Sequence, residues 1–252
     1  MHDTHSVLSD ERFATQATVA ADIARFAPIH IWPIPEAAIL LLTALARHDG
    51  RTYTHSLRVS RLAWQLSFLL DGDQQQAQLV FFAGLLHDIG KIDLPRSILE
   101  KPAPLGVAEW AMVMLYPARG AWLLHGQSEL APLSPLVVSH QERPDGLGYP
   151  RGLRQPDIPC AALRIAVADA ADAMGSQRPY AAPMTVEEIG EELRAGAGAR
   201  WDYAAAMLAA QELTQNSQLL RSPWVLAPQI STAALNLSAG YHTSAPGIEA
   251  AS

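Results

Sequence analysis

Apolar residues recur along this chain at helical spacing and almost nowhere alternate as they would in a strand. Leu57, Val59, Leu62, Ala63, Leu66 and Leu69 line one face of a segment opened by Thr52-Tyr53-Thr54-His55, which predicts an amphipathic helix over 55–71. The next segment, 74–88, is apolar on all sides from Ala77 to Leu86 and predicts a largely buried helix ending at His87-Asp88. Pro35-Glu36 ahead of Ala37 to Arg47 predicts a helix with proline at its start. Further helices are expected over 13–27, 107–124, 130–142, 161–175 and 201–220, and another from the capping box Thr185-x-x-Glu188. Three prolines in 89–104 predict a wrapping loop, and 143–160 another, where Gly146 and Gly148 permit sharp turns. With strands nearly absent, the expected fold class is all-α, a helical bundle.

Polar residues inside the apolar runs are where chemistry is expected. His55, His87, Asp88, His140 and Asp169 all emerge from apolar helical stretches, and charged groups are rarely buried without partners. Imidazole and carboxylate together suit a divalent metal, and Asp88 has two oxygens with which to bridge. That pattern predicts a metal site at the centre of the bundle. Lys91, one helical turn beyond Asp88, is placed to hold an anionic substrate oxygen. His48 and His125 read as surface histidines, and His30 with Ile31-Trp32 as core or lid packing.

A series of motifs runs in order along the chain: Thr52-x-x-His55-x-x-Arg58-Val59, Leu86-His87-Asp88-Ile89-Gly90-Lys91, Leu94-Pro95-x-x-Ile98-Leu99-x-Lys101-Pro102-x-x-Leu105 and Glu109-Trp110. Glu142-Arg143-x-Asp145-Gly146-x-Gly148-Tyr149-Pro150 follows, then Ile158-Pro159, Ala166-Val167-Ala168-Asp169-x-x-Asp172-Ala173 and Arg178-Pro179-Tyr180. With these motifs, residues 49–210 resemble an HD-GYP domain, the branch of the HD superfamily associated with hydrolysis of the bacterial second messenger cyclic di-GMP. The resemblance implies metal ligands at His55, His87, Asp88, His140 and Asp169, catalytic roles for Asp88 and Lys91, and substrate contacts from Lys91, Asp172, Arg178, Gly148 and Tyr149. It implies one or two divalent ions, Fe or Mn with Mg or Ni as alternatives, and a cyclic dinucleotide as substrate. Two departures stand out. Tyr116 and Gln141 occupy positions where the family carries histidine, and a phenol or a neutral amide is a poor ligand for a divalent transition metal. The first ion's set is intact while the second is altered, so weakened hydrolysis is expected. The alternatives are a degenerate module that binds a nucleotide or a signalling protein without turnover, and a one-metal phosphohydrolase of mononucleotides.

Composition narrows the setting. The 252 residues suit one domain with appendages: an N-terminal helical and linker segment over 1–48, an HD-GYP-like domain over 49–215 and a loosely packed tail over 216–252. A formal net charge of −7 argues against nucleic acid and anionic membrane as partners. The single cysteine, Cys160, fits a reducing compartment, and no apolar run approaches the roughly 20 residues of a membrane span. The N-terminus lacks a signal-peptide layout, and a cytoplasmic location is expected.

Overall fold

The computed structural model describes residues 14–28, 33–176 and 182–215, and within them the chain is helical, with two isolated bridges, Asp145 to Arg154 and Ala197 to Trp201, and no strand. The longest helix, α3 (Gly50–Asp71), begins where the Asp49 carboxylate accepts from the backbone N–H groups of Arg51 and Thr52 at 3.0 and 3.3 Å. Asp73 caps α4 (Gln74–Leu86) in the same way. Helix α4 is buried from Ala77 to Leu86 except at Leu79, as a segment apolar on all sides must be, and runs through the middle of the bundle. It packs along α3, and α9 (Cys160–Gly175) lies against both.

Helices α1 (Gln16–Phe26) and α2 (Glu36–His48) join the same core. Val19, Ile23, Phe26, Leu42 and Leu45 are buried in one cluster with Leu57, Phe81 and Leu86. At the far end, α10 (Val186–Gly196) and α11 (Tyr203–Gln215) pair with each other and rest on α9. The capping box at Thr185 forms as expected, its hydroxyl accepting from Glu188 N–H while the Glu188 carboxylate accepts from Thr185 N–H. No helix among the described residues is long and apolar enough to cross a membrane.

Two expected helices are broken. The segment 107–124 divides into α6 (Val107–Val113) and α7 (Tyr116–His125), because Pro117 has no N–H to donate to the preceding turn and instead opens a new helix. Pro132 and Pro135 likewise split 130–142 into a 3-10 turn at Ala131–Leu133 and α8 (Ser134–Ser139), leaving His140 just past the helix end. The loop expected over 89–104 contains a 3-10 turn, Ile89–Asp93, and the short α5 (Arg96–Leu99). Arg178, His30 and Trp32, and the tail beyond Gln215, lie outside the described residues.

Candidate metal centre

Four elements deliver polar side chains to one point in the bundle. Helix α3 brings His55, the end of α4 brings His87 and Asp88, the end of α8 brings His140, and α9 brings Asp169. Each imidazole is fixed by its Nδ1. His87 Nδ1–H donates to Gly84 O at 2.7 Å, His140 Nδ1–H to Val137 O at 2.6 Å, and His55 Nδ1–H to Asp172 Oδ2 at 2.7 Å. A carbonyl can only accept, so the tautomers of His87 and His140 follow and leave Nε2 as the free lone pair. All three Nε2 atoms then face Asp88 and Asp169. The separations are 3.8 Å from His55 to Asp88 Oδ2, 3.0 Å from His55 to Asp169 Oδ1, 3.3 Å from His87 to Asp88 Oδ2 and 3.9 Å from His140 to Asp88 Oδ1.

These spacings suit a cation. Ligand atoms each about 2.1 Å from one ion stand roughly 3 to 4 Å from one another. Two of the centre's lone-pair atoms, His87 Nε2 and Asp88 Oδ1, are buried without any hydrogen-bond partner, and leaving such groups unsatisfied costs free energy unless something binds them. Two triplets have ligand atoms within 4.8 Å of one another: His55, His87 and Asp88, and His87, His140 and Asp169. The residues present therefore fit a divalent metal ion.

Charge is balanced around the carboxylates. Burial would raise Asp88, but His87, Lys91 and His55 overcome it and hold its carboxyl well below the ordinary value. Lys91 Nζ donates to Asp88 Oδ2 at 2.6 Å, and although burial works against its charge, Asp88 keeps the ammonium protonated. Burial alone would lower the His55 imidazole. Its bonds to Asp169 and Asp172 instead raise it to about 10. His140 goes the other way, lowered to about 4 by burial and by neighbouring His87.

Three further residues complete the centre. Arg58, one turn beyond His55 on α3, clasps Asp172 with Nε at 2.6 Å and Nη2 at 2.9 Å. Asp172, expected from the resemblance as a substrate contact, is buried with both oxygens committed to His55 and Arg58, so it orients the His55 ring from behind. Glu142 is buried and accepts from the backbone N–H groups of Arg151 and Leu153, at 2.7 and 2.9 Å, pinning the Gly-Tyr-Pro loop. The paired spacings His55/Arg58 and Asp169/Asp172 were the available signal, since each pair shares a helix face.

The loop's glycine acts through space rather than contact chemistry. A Cβ on Gly148 would lie 2.5 Å from Arg143 N, Gln141 O and Glu142 Cα, so only glycine lets the loop fold back onto the segment carrying His140. Tyr149 N–H donates to Gln141 O at 3.1 Å, and its ring meets Trp110 edge-on at 6.1 Å on the rim of the centre. Tyr116, the first residue of α7, is buried with its hydroxyl 2.9 Å from His140 Nε2. Gly90 sets that position. A Cβ there would meet Tyr116 O at 2.0 Å, so the turn after Asp88 seats directly on the start of α7. Gln141 Nε2 donates to Asp169 Oδ2 at 3.0 Å.

A sequence profile described as an HD domain matches residues 40–205. The 3'3'-cGAMP-specific phosphodiesterase 2 of Vibrio cholerae is 34% identical over 164 residues, which cover 64% of this chain and 31% of that protein. The cyclic di-GMP phosphodiesterase of Thermotoga maritima is 37% identical over 152 residues, covering 60% of this chain and 41% of that protein. The chain thus matches less than half the length of either curated relative. A solved structure of a cyclic GMP-AMP specific phosphodiesterase from V. cholerae has the same fold, with a TM-score of 0.56 at 18% identity over 80% of this chain and 53% of that one. The chain belongs to the HD domain family.

Proposed function

We propose that this chain hydrolyses a phosphodiester bond of a cyclic dinucleotide, cyclic di-GMP foremost, at a divalent-metal centre held by His55, His87, Asp88 and Asp169. One observation carries the reading: His87 Nε2 and Asp88 Oδ1 are buried, unpartnered and face the other donors. The relatives named as cyclic di-GMP and 3'3'-cGAMP phosphodiesterases support the substrate class. A mixed imidazole and carboxylate set suits Fe or Mn, with Mg or Ni as alternatives. When bound, a divalent ion lowers the pKa of water and offsets charge on phosphoryl oxygens.

The protein's own groups supply the rest. Lys91 keeps its ammonium protonated beside Asp88, where it can take up charge building on a phosphoryl oxygen. Asp172 and Arg58 fix the His55 ring, and Glu142 fixes the loop that bears Tyr149 at the rim. Arg178 is assigned to the same anion from the sequence alone. We place this activity in the cytoplasm, where the substrate is a signalling molecule, with another signalling protein as a further partner.

A second reading, binding without turnover, is favoured by one feature: Tyr116 and Gln141 both hydrogen-bond into the centre. The chain loaded with Mn²⁺ or Fe²⁺, incubated with cyclic di-GMP or 3'3'-cGAMP and followed by chromatography, separates the two. Linear product is expected, falling to the uncatalysed background in Asp88→Ala. Saturable binding of either dinucleotide with no product would establish the second reading.

A further inference from the structure

We infer that the centre is mononuclear, with Tyr116 and Gln141 acting as hydrogen-bond caps that withhold His140 and Asp169 Oδ2 from a second ion; this rests on the metal-hydrolase reading of the same site. Lone pairs limit how many ions the centre can hold. Both candidate triplets require His87, whose Nδ1–H is engaged with Gly84 O, so a single Nε2 lone pair must serve either one. An imidazole nitrogen binds one ion at a time, and the two triplets therefore compete.

The caps decide the competition. His140 donates from Nδ1 to Val137 O, so Nε2 is its one acceptor, and the Tyr116 hydroxyl 2.9 Å away must be the donor. The Gln141 amide donates to Asp169 Oδ2, which leaves Oδ1 as the oxygen facing His55 at 3.0 Å. In the His55–His87–Asp88 triplet, His87 Nε2 and Asp88 Oδ1 are buried with no hydrogen-bond partner. Tyr116 is thus a positioning residue that sets how many ions the site accepts.

The experiment is elemental analysis of metal per chain after equilibration with excess Mn²⁺, together with the electron paramagnetic resonance signal of the loaded protein. Wild type should hold one ion per chain with the signal of isolated Mn²⁺. Tyr116→Phe deletes only the hydroxyl and frees His140 Nε2; it should bind Mn²⁺ up to about tenfold more tightly, the worth of one competing hydrogen bond. Tyr116→His combined with Gln141→His should raise the count to two, with a spin-coupled signal. Two ions in wild type, or unchanged affinity in a folded Tyr116→Phe, would overturn the inference whatever happens in the double variant. These readouts need no substrate, so one bound ion without hydrolysis would defeat the functional reading and leave the mononuclear centre standing.

Discussion

Two buried aspartates meet opposite sides of α3, and their contrast explains how this core tolerates charge. Tyr53 and His55 lie two residues apart, which turns them to different faces of the helix. On one face, Tyr53 Oη donates to Asp22 Oδ2 of α1 at 3.0 Å. On the other, His55 and Arg58 hold Asp172 of α9. Burial pushes both carboxyls up. At Asp22 it prevails, because one phenol and an Arg25 guanidinium 3.9 Å away only partly oppose it. At Asp172 an imidazole and a bidentate guanidinium overcome burial, and the carboxyl stays below its ordinary value. The first pair ties a helix to the bundle, and the second fixes the charge and orientation of His55 in the candidate centre.

If that division is right, Asp172→Asn should have the largest effect. It keeps the shape but weakens the hold on His55 and leaves Arg58 without a counter-charge, so Mn²⁺ affinity measured by calorimetry should fall about 10- to 100-fold. Unchanged affinity would mean that His55 is positioned by Asp169 alone. Tyr53→Phe should act on stability only. Leaving the Asp22 carboxyl without its donor should cost about 1–3 kcal/mol in urea unfolding, with Mn²⁺ affinity unaltered. A loss of metal affinity there would show that the two faces of α3 are coupled.

The smallest effect concerns pH. The folded Asp22 carboxyl titrates above the unfolded value of 3.8, so its contribution is fully present below that value and is lost as pH rises through the folded pKa. Asp22→Asn has no proton to lose at this position. The difference in unfolding free energy between variant and wild type should therefore move in the variant's favour from about pH 3 to about pH 7. A difference independent of pH would show that Asp22 is not desolvated in solution.

Helix identity was legible residue by residue wherever periodicity was strong. The face running from Leu57 to Leu69 and the run from Ala77 to Leu86, apolar except at Gln78, became α3 and α4. Where one helix was expected over 107–124, Pro117 carried the missed signal, since proline at that point ends one helix and begins another. The site was legible as a set of residue types: His55, His87, Asp88, His140 and Asp169 converge. Their wiring was not. The resemblance reads Asp172 as a substrate contact, and only the approach of α9 to α3 shows it turned toward His55.

What the chain's sequence determined by itself was local: helical period, the capping box at Thr185, and the supply of imidazoles and carboxylates on buried faces. Tertiary structure alone decided which nitrogen of each histidine faces inward, that Tyr116 meets His140, and that Gln141 meets Asp169. The physical reason is range. Periodicity and capping act within a turn or two of helix, whereas a hydrogen bond between α7 and His140 depends on how closely separate elements approach, and here that approach is set by Gly90 against α7.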